Sequence, residues 1–107
     1  AAPAGAEVAV ELRSSSPAGL VPADARAIQI GLDAFEHVLG TRPLLNRTGG
    51  AIPLVSELAA RGVPTILTGF ALNESNVHSP NERLVASYLP LGVTTTCELF
   101  RRLAALA

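Results

Sequence analysis

The 107-residue chain has no methionine, no tryptophan and no lysine, a single cysteine, and aromatic residues at only 4% of its positions. One cysteine cannot close an internal disulfide, so no disulfide framework holds this fold. Without lysine, all 8 cationic side chains are arginine; they stand against 9 Asp and Glu, for a formal net charge of −1. That balance lacks the basic excess of a general nucleic-acid binder. Long apolar runs are also missing, and the uninterrupted ones fall far short of a membrane span. Neither nucleic acid nor membrane is therefore an expected partner. The absent methionine leads to the expectation of a processed chain or a piece of a longer protein. The opening Ala1-Ala2-Pro3-Ala4-Gly5 has no basic region and no apolar core, so it does not read as a secretory signal. Together with the lone cysteine this leans towards a cytoplasmic location. What the chain has in plenty is apolar surface: 49% hydrophobic against 16% charged residues. That is a globular composition, long enough for one domain with a core.

The pattern along the chain predicts alternating strands and helices, hence a small α/β layer. Val8, Val10 and Leu12 alternate with Glu7, Ala9 and Glu11, the pattern of a half-buried strand. Ser14 to Pro22 reads as a loop and the best candidate for a linker. Asp24 is placed to cap a helix reaching Leu39, with Ile28, Leu32, Phe35 and Leu39 on one face and Gly40 as its left-handed stop. Leu44 to Arg47 reads as a short strand. Pro53 suits the first position of a second helix, which places Leu54 and Leu58 on one side and ends at Gly62. Residues 63–68 read as a strand, with Pro64 near its start. The last helix is expected from Pro90 to about Ala105, burying Val93, Cys97, Phe100 and Ala104.

Two loops carry the candidate chemistry. In Arg47-Thr48-Gly49-Gly50-Ala51-Ile52-Pro53, two glycines allow close approach before a helix whose free N–H groups favour an anion, and Arg47 offers a forked cation that suits a carboxylate. The same residues also read as a plain tight turn beside a solvated charge. In the second loop, Ser79 and Glu82 have capping-box spacing with Pro80 between them, so a short helical turn is expected there with His78 just before it. A held imidazole suits a metal, although no second histidine or cysteine stands at ligand spacing. His37 lies off the apolar stripe of its helix and is expected to be exposed. Cys97 is expected to be an inert buried thiol, and Thr94 to Thr96 a crowded stretch of helix rather than a site.

Taken together, Arg47-Thr48-Gly49-Gly50-Ala51-Ile52-Pro53, Gly62-Val63-Pro64, Gly69 and His78-Ser79-Pro80-Asn81-Glu82 resemble the C-terminal stretch of a family of enzymes. It is the dinuclear-zinc aminoacylase, desuccinylase and carboxypeptidase family of metallopeptidases, which includes carnosinase-like dipeptidases. The order and spacing match along essentially the whole chain, with the glycine pair and His78 about thirty residues apart. The resemblance implies a hydrolase of amide bonds next to a free carboxylate, acting on dipeptides or N-acyl amino acids with two divalent metal ions, zinc being expected. It implies an α/β catalytic domain interrupted by a lid that also makes a homodimer. Residues 1–20 would end that lid and residues 21–107 would be the C-terminal part of the catalytic domain. His78 resembles the family's C-terminal metal ligand, and Arg47, Gly49, Gly50 and Ala51 resemble the loop that receives the substrate carboxylate. Many members have Ser where this chain has Ala51, so only a backbone N–H is offered there. The family's other ligands and its general-base Glu come from an N-terminal half that this chain lacks. No catalytic residue is thus expected on this chain, and Glu82 fits capping better than catalysis. The alternative is a non-catalytic anion-binding or assembly module on the same scaffold.

Overall fold

The computed structural model describes residues 3–47 and 52–106. Its elements are α1 (Arg26–Leu39), α2 (Pro53–Ala60), a 3₁₀ turn at Asn73–Ser75, α3 (Tyr88–Leu103) and a closing 3₁₀ turn at Ala104–Leu106. The expected α/β alternation is overturned: among the described residues there is no strand and no sheet. The three segments expected as strands are irregular and largely exposed. Val10 is 90% exposed, Leu12 81% and Leu44 94%. The physical reason is that alternation only supplies a strand with an apolar face. A strand also needs a neighbour to take up its N–H and C=O groups, and none of these segments has one among the described residues.

The core lies between α1 and α3, the two helices that pack on one another. Ile28, Leu32, Ala34 and Phe35 of α1 are buried, together with Leu99 and Thr95 of α3. The stripe expected on α1 is therefore present, except at Leu39, where the helix runs out of neighbours. Phe35 also stacks on Phe70, with ring centroids 5.8 Å apart and planes 13° from parallel. The chain is long for its size, 61 × 36 × 19 Å with a radius of gyration of 18.4 Å. A compact domain of this length would have a radius near 13 Å.

The helix ends depart from expectation at the start and agree at the stop. Asp24 does not cap α1: Ala25 holds the cap position and makes no side-chain bond. Gln29 instead reaches back, its Nε2 donating to Ala23 O at 2.8 Å. Gly40 adopts φ 72° and donates its N–H to Glu36 O, as a left-handed stop should. Beyond it, Arg42 folds back along α1 and donates to Asp33 Oδ1 at 2.6 Å and Glu36 Oε2 at 2.8 Å. The next residues are thereby turned into solvent rather than into a sheet.

α2 starts at Pro53 as expected, but Ser56 is its buried residue and Leu54 is exposed. Against it lies the expected linker: a Cβ placed on Gly19 would sit 3.1 Å from the Ser56 backbone. The rest of the stretch is irregular and mostly exposed, as a loop would be. α3 begins two residues before Pro90 and buries a different face from the one expected. Val93 and Phe100 are each 65% exposed and Cys97 is exposed, while Thr95 and Leu99 are buried. Thr95 can be buried because its hydroxyl donates to Leu91 O at 2.8 Å.

Near the end of α3, Glu98 accepts from both Arg101 and Arg102. These bonds, Arg101 first, hold its carboxyl at about 2, below the ordinary 4.5. A depressed carboxylate stabilises the fold above pH 4.5, and that contribution is lost as pH falls towards 2. Helicity followed by circular dichroism between pH 5 and 2 should thus fall less steeply in Glu98→Gln than in the parent chain. Superimposable titrations would refute the role given to this cluster.

Candidate functional site

The loop that carries His78 is closed at its neck by two bonds, both from Arg83. The Arg83 N–H donates to Ser75 O at 2.9 Å, and Arg83 Nε donates to Glu74 O at 2.7 Å. Ser75 is buried, and its Oγ accepts the Leu72 N–H at 3.0 Å. Within the neck, the Ser79 N–H bonds to Asn76 O at 2.9 Å. The expected helical turn after Ser79 does not form: Pro80 and Asn81 make a turn, and the chain then runs irregularly to Val85. A capping box needs a helix to cap, and Asn81 at φ 61° breaks one at its second residue.

Three non-glycine residues of this loop have left-handed backbone: Asn76 at φ 53°, His78 at 64° and Asn81 at 61°. Asparagine tolerates that region comparatively well because its short side chain bonds locally. Histidine too is found there more often than most residues, so the position is uncommon rather than forced. The side chain of His78 is exposed. Position before a cap is the sequence argument for a fixed imidazole; that cap does not form, and the bonds from Arg83 tie the neck of the loop rather than the His78 ring.

Arg47 is exposed at the end of its described segment. Gly49, Gly50 and Ala51, the remainder of the expected carboxylate loop, lie outside the described residues, as does Thr48. The helix that this loop feeds does begin at Pro53, as the reading of an anion-facing helix start requires, but it is short and its cap residue Ile52 makes no side-chain bond. His37 is exposed as expected.

Among the described residues no group of three His, Cys, Asp or Glu side chains converges in a way that could hold a metal ion. Catalytic zinc commonly takes three protein ligands, so the one imidazole of His78 does not make a metal site by itself. Two hollows flank this region. One, of about 340 Å³, is lined by Ala71, Ser75, Val77, Glu82, Arg83 and Leu84 and sits under the neck of the loop. The other, of about 530 Å³, runs along the outer face of α3 past Phe70, Leu89, Val93 and Phe100. His78 lines neither. No described helix is long and apolar enough to cross a membrane. No family model, no curated protein and no solved structure matches this chain.

Proposed function

We propose that this chain is the C-terminal segment of a metal-dependent hydrolase that cleaves an amide or peptide bond next to a free carboxylate. The observation that carries the reading is the sequence run His78-Ser79-Pro80-Asn81-Glu82, following Arg47-Thr48-Gly49-Gly50 at about thirty residues. The exposed His78, on a loop bonded shut at its base, is in keeping with an imidazole offered to a group outside the loop. In this reading His78 ligates one of two divalent ions, with zinc the first candidate, and Arg47 with the Gly49-Gly50 turn and the Ala51 N–H receives the substrate carboxylate. The substrates are dipeptides or N-acyl amino acids. The other metal ligands and the general base belong to the intact enzyme, a homodimer, and no step of the reaction is assigned to this chain alone.

The expected result is an inert segment. Purified and supplied with zinc, the 107-residue chain should not turn over dipeptides or N-acyl amino acids, because one imidazole can neither retain the ion nor replace the missing base. Turnover above the zinc blank would overturn the proposal. In an intact enzyme carrying this sequence, His78→Ala should weaken metal binding and abolish hydrolysis. If both survive the substitution, the reading of His78 fails. A second reading, an assembly module without catalysis, draws on the apolar outer face of α3, where Leu89, Val93 and Phe100 stand exposed. Retained metal binding and activity in His78→Ala would move the weight to that reading.

A further inference from the structure

The hollow of about 340 Å³ under the neck of the His78 loop is lined by Ala71, Ser75, Val77, Glu82, Arg83 and Leu84. Small-molecule sites run from roughly 300 to 1,000 Å³, so it is large enough for a small ligand. Its wall carries both signs of charge. Glu82 and Arg83 are neighbours in the chain, yet among the described residues no ion pair joins them to each other or to any other group. Arg83 donates from Nε to Glu74 O, which leaves its two Nη groups without a bond to a described residue. Ser75 is only 5% exposed. Its Oγ accepts the Leu72 N–H, but its own hydroxyl proton has no acceptor among the described residues. A buried donor in that state calls for a partner. Ala71, Val77 and Leu84 make the rest of the wall apolar.

We infer that this hollow binds an apolar α-amino acid in its free, zwitterionic form. The two Nη groups of Arg83 form a fork that suits a carboxylate, and the Ser75 hydroxyl adds a further donor to it. The Glu82 carboxylate takes the ammonium group. The side chain of the ligand meets Ala71, Val77 and Leu84. Simpler ligands satisfy fewer of these groups. A plain anion would meet Arg83 but be repelled by Glu82. A wholly apolar ligand would cover the Ser75 proton and the Arg83 fork and pair with neither, which is costly. The hollow is separate from the groups assigned to hydrolysis, since neither His78 nor Arg47 lines it. The inference therefore does not rest on the hydrolase reading and needs no metal.

The probe is L-leucine, titrated into the 107-residue chain and followed by backbone amide shifts in two-dimensional NMR. Glu82 and Arg83 are exposed, so their charges contribute modestly, and a dissociation constant of about 1 mM is expected. The shifts should centre on residues 71–84. L-leucinamide lacks the carboxylate and N-acetyl-L-leucine lacks the ammonium group; each should bind about fivefold more weakly. Glu82→Gln is the deciding variant, because the Glu82 side chain makes no recorded bond and its loss leaves the neck of the loop tied by Arg83. In that variant L-leucine should bind no better than N-acetyl-L-leucine, yet still better than L-leucinamide. Equal affinities for the three probes overturn the inference, as does a preference unchanged by Glu82→Gln. Absence of saturation up to the solubility of L-leucine overturns it too. So does inorganic phosphate that moves the same amides as tightly, since the hollow would then be a plain anion site. Shifts that map instead to Phe70, Val93 and Phe100 would put the ligand on the outer face of α3 and overturn it as well.

Discussion

Phe35→Ala should unfold most of the helical structure at 25 °C. Phe35 is 8% exposed and stands at the centre of the α1–α3 contact, with Phe70 stacked against it. Removing a buried aromatic ring costs about 3 to 5 kcal/mol, the lost transfer energy plus the cavity left behind. Few other residues can make that up. The buried apolar set described here is Ile28, Leu32, Ala34, Phe35 and Leu99, and a fold of this elongated shape offers little further surface to close over a void. α1 is 14 residues long, a length at which an isolated helix is marginal in water, so losing the packing should lose the helix too. The measurement is a urea titration followed at 222 nm, with Phe100→Ala as the control. Phe100 is 65% exposed, and its truncation should change stability by no more than about 0.5 kcal/mol. If Phe100→Ala proves the costlier change, the core has been put on the wrong side of α3.

That contrast marks what could be read from the residues and what could not. On α1, Ile28, Leu32 and Phe35 recur at helical spacing and nothing competes with them, so both the face and the Gly40 stop were legible. On α3 two stripes compete. Val93, Cys97, Phe100 and Ala104 form the expected one, while the stripe that is buried carries Thr95 between Leu91 and Leu99. A threonine at the middle of a core stripe looks polar in one dimension. In three dimensions its hydroxyl is spent on the preceding turn, so the side chain can be buried without an unpaired polar group. Segments 7–13, 44–47 and 63–68 failed for another reason. Their alternation and β-branched residues describe how a side-chain surface would be presented, not whether a neighbouring backbone exists to pair with.

The candidate site divides in a similar way. His78 is named from its neighbours in the chain, and its side chain is exposed on a loop closed by Arg83. Its left-handed backbone was not legible, because histidine's leaning to that region is weak and the bonds from Arg83 span residues that spacing rules do not connect. The carboxylate loop could be named only from type and order: two glycines, an arginine and a helix start. Of these the structure describes Arg47 and the helix start at Pro53.

Thr95→Asp should be at least as damaging as the loss of Phe35, and it tests the same assignment from the other helix. Thr95 is 1% exposed, the most deeply buried side chain on α3. The two arginines of α3, Arg101 and Arg102, are both engaged with Glu98 near the helix end and so are not free to pair with a carboxylate there. Burying a charge without a partner costs several kcal/mol, or else the group takes up a proton and leaves a polar acid in an apolar contact. With a core this small, either route should leave the chain largely unfolded at neutral pH, with some recovery of helix as the acid is protonated near pH 5 and above the range where Glu98 is lost. Two neighbours make the result specific. Thr95→Val keeps the shape and removes only a hydroxyl whose acceptor, Leu91 O, already receives the helical N–H, so it should be close to neutral. Val93→Asp puts the same carboxylate two residues away on the exposed face and should cost less than about 1 kcal/mol. Equal losses from Asp at both positions would mean that α3 buries both faces and that a further surface covers the outer one. A larger loss at Val93 would restore the stripe that the residues suggested first and reverse the packing of α3 on α1.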